Sequence, residues 1–83
     1  MRNYKSWVLL FDETGKYHLG CEWACAFNLM PKNAKKRIMN PQYHKPKNAV
    51  GFVVLTEWQF MTMSYNDIEK YYKKWGFKLN ERN

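Results

Sequence analysis

The sequence has few of the features that mark a secreted or membrane-bound protein. Its 83 residues include only two cysteines, whereas small secreted domains are typically held by several disulfides. No apolar run approaches the roughly 18 residues of a membrane span, and the N-terminus has no apolar segment typical of a signal peptide. We therefore expect a soluble, cytoplasmic protein that does not act on membranes. The length predicts a single domain over residues 1–83.

Signatures of catalysis and of cofactor binding are missing as well. The chain has no glycine-rich phosphate loop, nucleophile elbow or paired-carboxylate site. On one face of a strand, Cys21 and Cys25 would lie about 13 Å apart, too far to form a disulfide or to share a metal ion. We expect no metal, no cofactor and no small-molecule ligand. His18 and His44, with nearby lysines, supply the groups of a small metal-independent ribonuclease. Most basic chains of this size contain such groups by chance, so the protein is expected not to be an enzyme.

One segment, residues 31–48, contains no acidic residue at all. It contributes +6 to the net charge of +7, while residues 1–30 sum to zero and residues 49–83 to +1. Cations along an exposed segment neutralise phosphates and release counterions, so this concentration of charge predicts nucleic-acid binding. Two aromatic side chains within the segment could stack on an unpaired base. The predicted contact residues are Lys32, Lys35, Lys36, Arg37, Tyr43, His44, Lys45 and Lys47.

A protein partner is the main alternative to nucleic acid. The chain has four tryptophans and six tyrosines, and these side chains gather at interfaces because each joins an apolar body to a polar tip. Rings as anchors and lysines as steering charges suit docking on an acidic face of a larger protein. The size and the composition rich in Lys, Asn and Tyr are similar to those of inhibitors encoded by phages or mobile elements. The simplest alternative is a solvated loop whose lysines serve only solubility.

Two strands joined by a tight turn are predicted in the N-terminal half. Residues 4–12 are apolar and β-prone, which is typical of a central strand or one covered on both faces. The sequence Asp12-Glu13-Thr14-Gly15 predicts a type I turn with Gly15 available for the left-handed conformation. Residues 17–28 alternate with a period of two, which predicts the second strand. A helix that begins near Glu22 is the alternative.

The basic segment is predicted to be mostly an exposed loop. Its three prolines forbid a long helix or a central strand. One helical turn over residues 33–39 is feasible, with Ile38 and Met39 as its apolar anchors. The rest should be extended, and loops of this length are usually functional or disordered.

The next elements are a third strand and an ambiguous stretch. Residues 49–56 are rich in β-branched side chains, which favours a strand. Residues 56–63 contain alternating aromatic residues that would continue this strand. Thr56 and Gln59 also make a capping box, which would begin a short helix instead. We favour the strand.

A C-terminal helix over about residues 65–75 is the best specified element. Ser64 and Asp67 form a capping box, and Gly76 is expected to end the helix in the left-handed conformation. Residues 77–80 are expected to add a short edge strand. The helical spacing predicts a core-facing stripe of four residues: Ile68, Tyr71, Tyr72 and Trp75.

Together these elements predict an α+β domain. A small antiparallel sheet, made of the N-terminal hairpin and the third strand, packs against the single C-terminal helix. This arrangement resembles DNA-binding modules that read a groove with a three-stranded sheet. The resemblance concerns the fold alone and adds little to the prediction of function.

Overall fold

A four-stranded antiparallel sheet of order β2-β1-β3-β4 forms the centre of the fold. The computed structural model describes residues 5–20 and 22–79. The α+β class with a C-terminal helix on the sheet is confirmed. In chain order the elements are β1 (Ser6–Phe11), β2 (Ala24–Phe27), α1 (Pro31–Met39), β3 (Gly51–Thr56), α2 (Glu57–Thr62), α3 (Tyr65–Trp75) and β4 (Phe77–Lys78).

Strand β1 is central and covered on both faces, as its unbroken apolar sequence predicts. Its alternate side chains enter two separate cores. Val8 and Leu10 pack in the core that contains Ile38 of α1, whereas Leu9 packs in the core that contains Ile68 of α3. The described helices therefore cover both faces of the sheet.

The prediction of an exposed loop over residues 31–48 is wrong in its first half, because residues 31–39 form the nine-residue helix α1. Pro31 stands at the start of the helix, where the missing N–H would have no helical partner in any case. Ala34 and Ile38, four residues apart on one face, are fully buried. Met39 is 40% exposed and is not the second anchor. The loop begins only after the C-cap residue Asn40.

The second strand is also shorter than predicted. Tyr17 makes only an isolated bridge to Phe11, and β2 begins at Ala24. Gly20 interrupts the alternation with a φ of 153°, a positive value that glycine tolerates and other residues rarely adopt. Its carbonyl oxygen accepts hydrogen bonds from the N–H groups of Trp23 and Ala24, each at 3.2 Å. The chain turns here, and the alternative helix from residue 22 does not form.

Residues 57–62 form a helix, so the predicted continuation of the third strand is wrong. Both bonds of the capping box are present. The N–H of Gln59 donates to Thr56 Oγ1 at 3.1 Å, and the N–H of Thr56 donates to Gln59 Oε1 at 3.0 Å. These bonds satisfy two N–H groups that the helix terminus would leave unpaired. The alternating aromatic residues therefore do not indicate a strand here. Trp58, one of these residues, is 74% exposed.

Helix α3 is confirmed with its bounds and its Ser64–Asp67 capping box. Two details of its end are wrong. Trp75 is 59% exposed although it falls on the predicted core-facing stripe, and Gly76 has a φ of −67°, so it is not left-handed. A Cβ atom at Gly76 would overlap the Tyr72 ring, which explains glycine there. The predicted edge strand is confirmed over Phe77–Lys78 but ends before Leu79, and residue 80 lies outside the described residues.

The turn after β1 is built around the carboxylate of Asp12. Gly15 has a φ of 84°, as predicted, and its N–H donates to the Asp12 carbonyl at 2.9 Å. The carboxylate accepts from the Thr14 hydroxyl at 2.6 Å and lies 2.9 Å from His18 Nε2. These bonds, that of Thr14 first, hold the pKa of Asp12 well below its usual range.

Replacing Asp12 with Asn is expected to destabilise the protein by about 1 kcal/mol at pH 7, since hydrogen bonds to a charged acceptor are lost at a partly exposed site. The folded-state pKa of Asp12 lies below the unfolded-state value of about 3.9. The stabilisation is therefore present above that value and is lost as the pH falls below it toward the lower folded-state pKa. Urea unfolding of both proteins across this range measures the difference. Equal stability at pH 7 would contradict the assignment.

Candidate nucleic-acid interface

Helix α1 carries four of the eight predicted contact residues. At about 100° per residue, Lys32 and Lys35 fall on one side of the buried stripe, Arg37 falls on the other, and Lys36 lies opposite the stripe. The side chains of Lys35 and Arg37 confirm this division. Lys35 Nζ lies 3.7 Å from the ring centroid of Phe77, in the edge strand β4. Arg37 Cζ lies 5.7 Å from that of Phe27, in the opposite edge strand β2.

The cations of α1 have no carboxylate partner among the described residues. Within residues 5–20 and 22–79 the one ion pair joins His18 to Asp12. The first turn of α1 holds no acidic residue, and its last turn holds Lys36 and Arg37. Of the four cations, only Lys35 is half-buried, and the other three are exposed. The positive charge of α1 is therefore available to an anionic partner.

A shallow depression of about 620 Å³ runs along the lysine flank of α1. Its lining is mostly apolar, and the methylene groups of the long lysine side chains supply apolar surface beside that of Met39 and Pro41. The surface thus combines an apolar floor with a cationic rim. Sequence reasoning missed Met39 and Pro41 as parts of this surface. The residues that line it are Lys32, Lys35, Lys36, Met39, Asn40 and Pro41.

Lys45 has a structural role in the loop that follows α1. Its Nζ donates hydrogen bonds to the carbonyl oxygens of Asn40 and Tyr43, each at 3.0 Å. Asn40 is the C-cap of α1, so the ammonium group also lies at the negative end of the helix dipole. Two of its three N–H donors are used in these bonds. Lys45 therefore has only one free N–H donor for a partner.

Tyr43 is half-buried and is not a free stacking surface. Its ring meets Phe27 edge-on, with centroids 5.6 Å apart and planes at 84°. Burial first, and the interaction with the Cys25 thiol second, raise the pKa of the Tyr43 hydroxyl. The adjacent His44 is exposed. Of the two predicted stacking rings, only His44 keeps an exposed side chain.

A second depression, which we call the β2 groove, lies between residues 22–25 and residues 43–48 and has a volume of about 510 Å³. Trp23 lines this groove together with four of the predicted contact residues. Sequence reasoning missed Trp23, which is half-buried, packs against the core that contains Ile38 and also lines this groove. The lining residues are Glu22, Trp23, Cys25, Tyr43, His44, Lys45, Pro46, Lys47 and Asn48.

The predicted site residues are thus divided between two surfaces. The three lysines of α1 line the depression beside Met39 and Pro41, whereas Tyr43, His44, Lys45 and Lys47 line the β2 groove. Lys47 also borders a smaller depression that holds Asp12 and Glu13. His18 contacts Trp23, with ring centroids 5.0 Å apart. It does not line the β2 groove with His44, so the two ribonuclease candidates do not share that site.

Comparison of the chain with protein-family models, curated proteins and solved structures found no match. Among the described residues, no three His, Cys, Asp or Glu side chains are grouped closely enough to hold a metal ion. Cys21 lies outside this part of the chain, so its predicted separation from Cys25 is not addressed. None of the described helices, which include the eleven-residue α3, is long and apolar enough to cross a membrane.

Proposed function

We propose that the protein is a non-enzymatic nucleic-acid-binding protein, and that α1 makes the principal contact with phosphates. The observation that carries this proposal is the charge of α1: four cations in nine residues with no acidic residue. No carboxylate of the described residues neutralises them. Because these side chains project from a helix docked on the sheet, they form a fixed cationic surface. A cytoplasmic location, where RNA and DNA are accessible in many cells, is compatible with this function and remains a prediction.

Contacts of this kind bind the polymer with little dependence on sequence. Lysines and arginine on one helix neutralise neighbouring phosphates, and the released counterions supply the free energy. The five cations whose charge is free for such contacts are Lys32, Lys35, Lys36, Arg37 and Lys47. Lys45 is left out because most of its donors serve the loop.

The salt dependence of binding tests the proposal. Five neutralised phosphates predict that log Kobs falls with log salt with a slope of about −4.5 on duplex DNA and about −3.5 on a single strand. Fluorescence anisotropy with labelled 20-nucleotide DNA and RNA, between 50 and 300 mM KCl, measures these slopes. An affinity weaker than about 100 μM at physiological salt, the weak end of non-specific binding, would contradict the proposal.

A second candidate function is inhibition of a larger protein through an acidic face, as in phage-type inhibitors. The depression along α1 favours it, because an apolar floor with a cationic rim fits an acidic segment that carries an apolar anchor. The two functions predict different responses to alanine substitution. Phosphate binding should fall by similar small steps as each lysine is removed. A protein interface should instead depend strongly on Met39 and on one or two cations.

A further inference from the structure

We propose that the β2 groove binds an unpaired base of a single-stranded nucleic acid, with Trp23 as the stacking surface. This inference rests on the proposed function, since Arg37 of α1, on the β2 side of the helix, would hold the polymer beside the groove. It goes further in assigning a preference for single strands. A volume of about 510 Å³ lies within the range of 300 to 1,000 Å³ that is usual for small-ligand sites.

Trp23 is held in place from two directions. Its backbone carbonyl accepts a hydrogen bond from the N–H of Leu10, in the central strand, at 2.9 Å. Its ring meets the His18 ring at 63°, with centroids 5.0 Å apart. His18 is in turn fixed by Asp12, 2.9 Å from its Nε2 atom. A half-buried ring fixed in this way loses little freedom when a base stacks on it, which favours binding.

Cations lie along the path from α1 to the groove. Arg37 lies over the ring of Phe27, and Phe27 contacts Tyr43, which lines the groove. At the other end Lys47 is exposed on the rim. Lys45 retains one N–H donor beyond its two carbonyl bonds. A strand that runs from Arg37 to Lys47 would therefore meet a cation on either side of the base that enters the groove.

Glu22 also lines the β2 groove and repels phosphates, so the base rather than the backbone should enter there. A carboxylate accepts hydrogen bonds from the exocyclic amino group of cytosine. Thymine has no such donor. The groove is therefore expected to favour cytosine over thymine.

The test compares labelled single-stranded dC and dT 12-mers with a duplex of the same length, using anisotropy and tryptophan quenching. Trp23→Ala should weaken single-strand binding about 5- to 100-fold, as expected for the loss of one base–aromatic stack. Duplex binding should remain within about twofold, because paired bases do not enter the groove. Trp58→Ala is the matched control, since Trp58 is 74% exposed on α2, whose Phe60 packs against the core on the opposite face of the sheet.

Two further variants keep the test decisive if Trp23→Ala is poorly folded. Trp23→Phe keeps a ring for packing but should abolish the part of the fluorescence quenching that dC 12-mer causes at Trp23. Glu22→Gln should reduce the preference for dC over dT. Unchanged quenching in Trp23→Phe, or equal binding of single strands by wild type and Trp23→Ala, would overturn the inference.

Failure of the inference and failure of the proposed function give different results. If charge reversal on α1 abolishes binding but Trp23 variants bind single strands normally, the inference is wrong and the proposed function stands. If wild type binds no oligonucleotide, titration with cytidine monophosphate up to 10 mM tests the groove directly. Quenching that disappears in Trp23→Phe would then support the groove without the proposed function, and no quenching would reject both.

Discussion

Replacing Lys32, Lys35 and Lys36 with Glu is expected to weaken nucleic-acid binding about 100-fold or more at 0.15 M salt. Each phosphate contact that releases a counterion at this ionic strength contributes about 1 kcal/mol, and three such contacts are lost. The reversed charges also repel the polymer. The salt slope on duplex DNA should become less steep by about 2.7, since each lost contact removes about 0.9.

The matched control for this variant is Lys70, Lys73 and Lys74 changed to Glu. These three lysines are exposed on α3, which packs on the other face of the sheet. Both variants lower the net charge from +7 to +1, so they differ only in where the charge is lost. Binding by the control should stay within about threefold of wild type, because distant exposed charges are largely screened. Equal losses in both variants would show that net charge, and not α1, controls binding.

Thermal unfolding of the α1 variant is needed beside the binding measurement. Lys35 Nζ lies over the Phe77 ring, so its replacement also removes a cation–π contact of about 0.5–1 kcal/mol. This loss is too small to unfold a domain whose stability is typically 5–15 kcal/mol. A variant that retains cooperative unfolding above 37 °C and has lost binding would assign the loss to charge.

The second large effect is expected from Ile38→Ala, which should destabilise the protein by about 2–5 kcal/mol. Ile38 is fully buried and, with Ala34, joins α1 to the core between the helix and the sheet. A nine-residue helix is too short to be stable alone, so α1 depends on this contact. For a domain of this size the melting temperature should fall by roughly 10–30 °C. Calorimetry or circular dichroism measures it.

Met39→Ala is the matched control for Ile38→Ala. It removes a side chain of similar size from the next position of the same helix, but Met39 is 40% exposed. Its replacement should change the free energy of unfolding by less than about 0.5 kcal/mol. If the two variants were equally stable, α1 would not be docked through Ile38, and the fixed cationic surface would lose its structural basis.

The sequence by itself determined the elements whose signals lie within a few residues of one another. Helix α3 has its capping box, its apolar stripe and its stop within residues 64–76, and each of these favours the same structure. The turn at Asp12 has the same local character, because the carboxylate bonds groups only two to six residues away. The central position of β1 followed from an apolar run with no polar face.

Tertiary structure decided the conformation of those segments whose apolar pattern was compatible with more than one secondary structure. Residues 31–39 have only two buried side chains, Ala34 and Ile38, so their helix is stabilised by the sheet face that it covers. Residues 17–28 do alternate between apolar and polar side chains, as in a strand. However, the chain turns at Gly20, and β2 begins only at Ala24. The local sequence of residues 57–62 was compatible with both a strand and a helix. The structure has the helix, with its capping box formed and with Trp58 exposed.

The candidate site follows the same division. The sequence alone located the positive charge in residues 31–48, because the net charge of a segment is the sum of its charged residues. It could not show that Lys45 caps α1, that Tyr43 packs on Phe27, or that Trp23 lines a groove with His44. The contact of Tyr43 with Phe27 and the groove shared by Trp23 and His44 join residues distant in the chain. These contacts exist because α1 covers the second face of the sheet, and the loop that follows α1 therefore lies against β2.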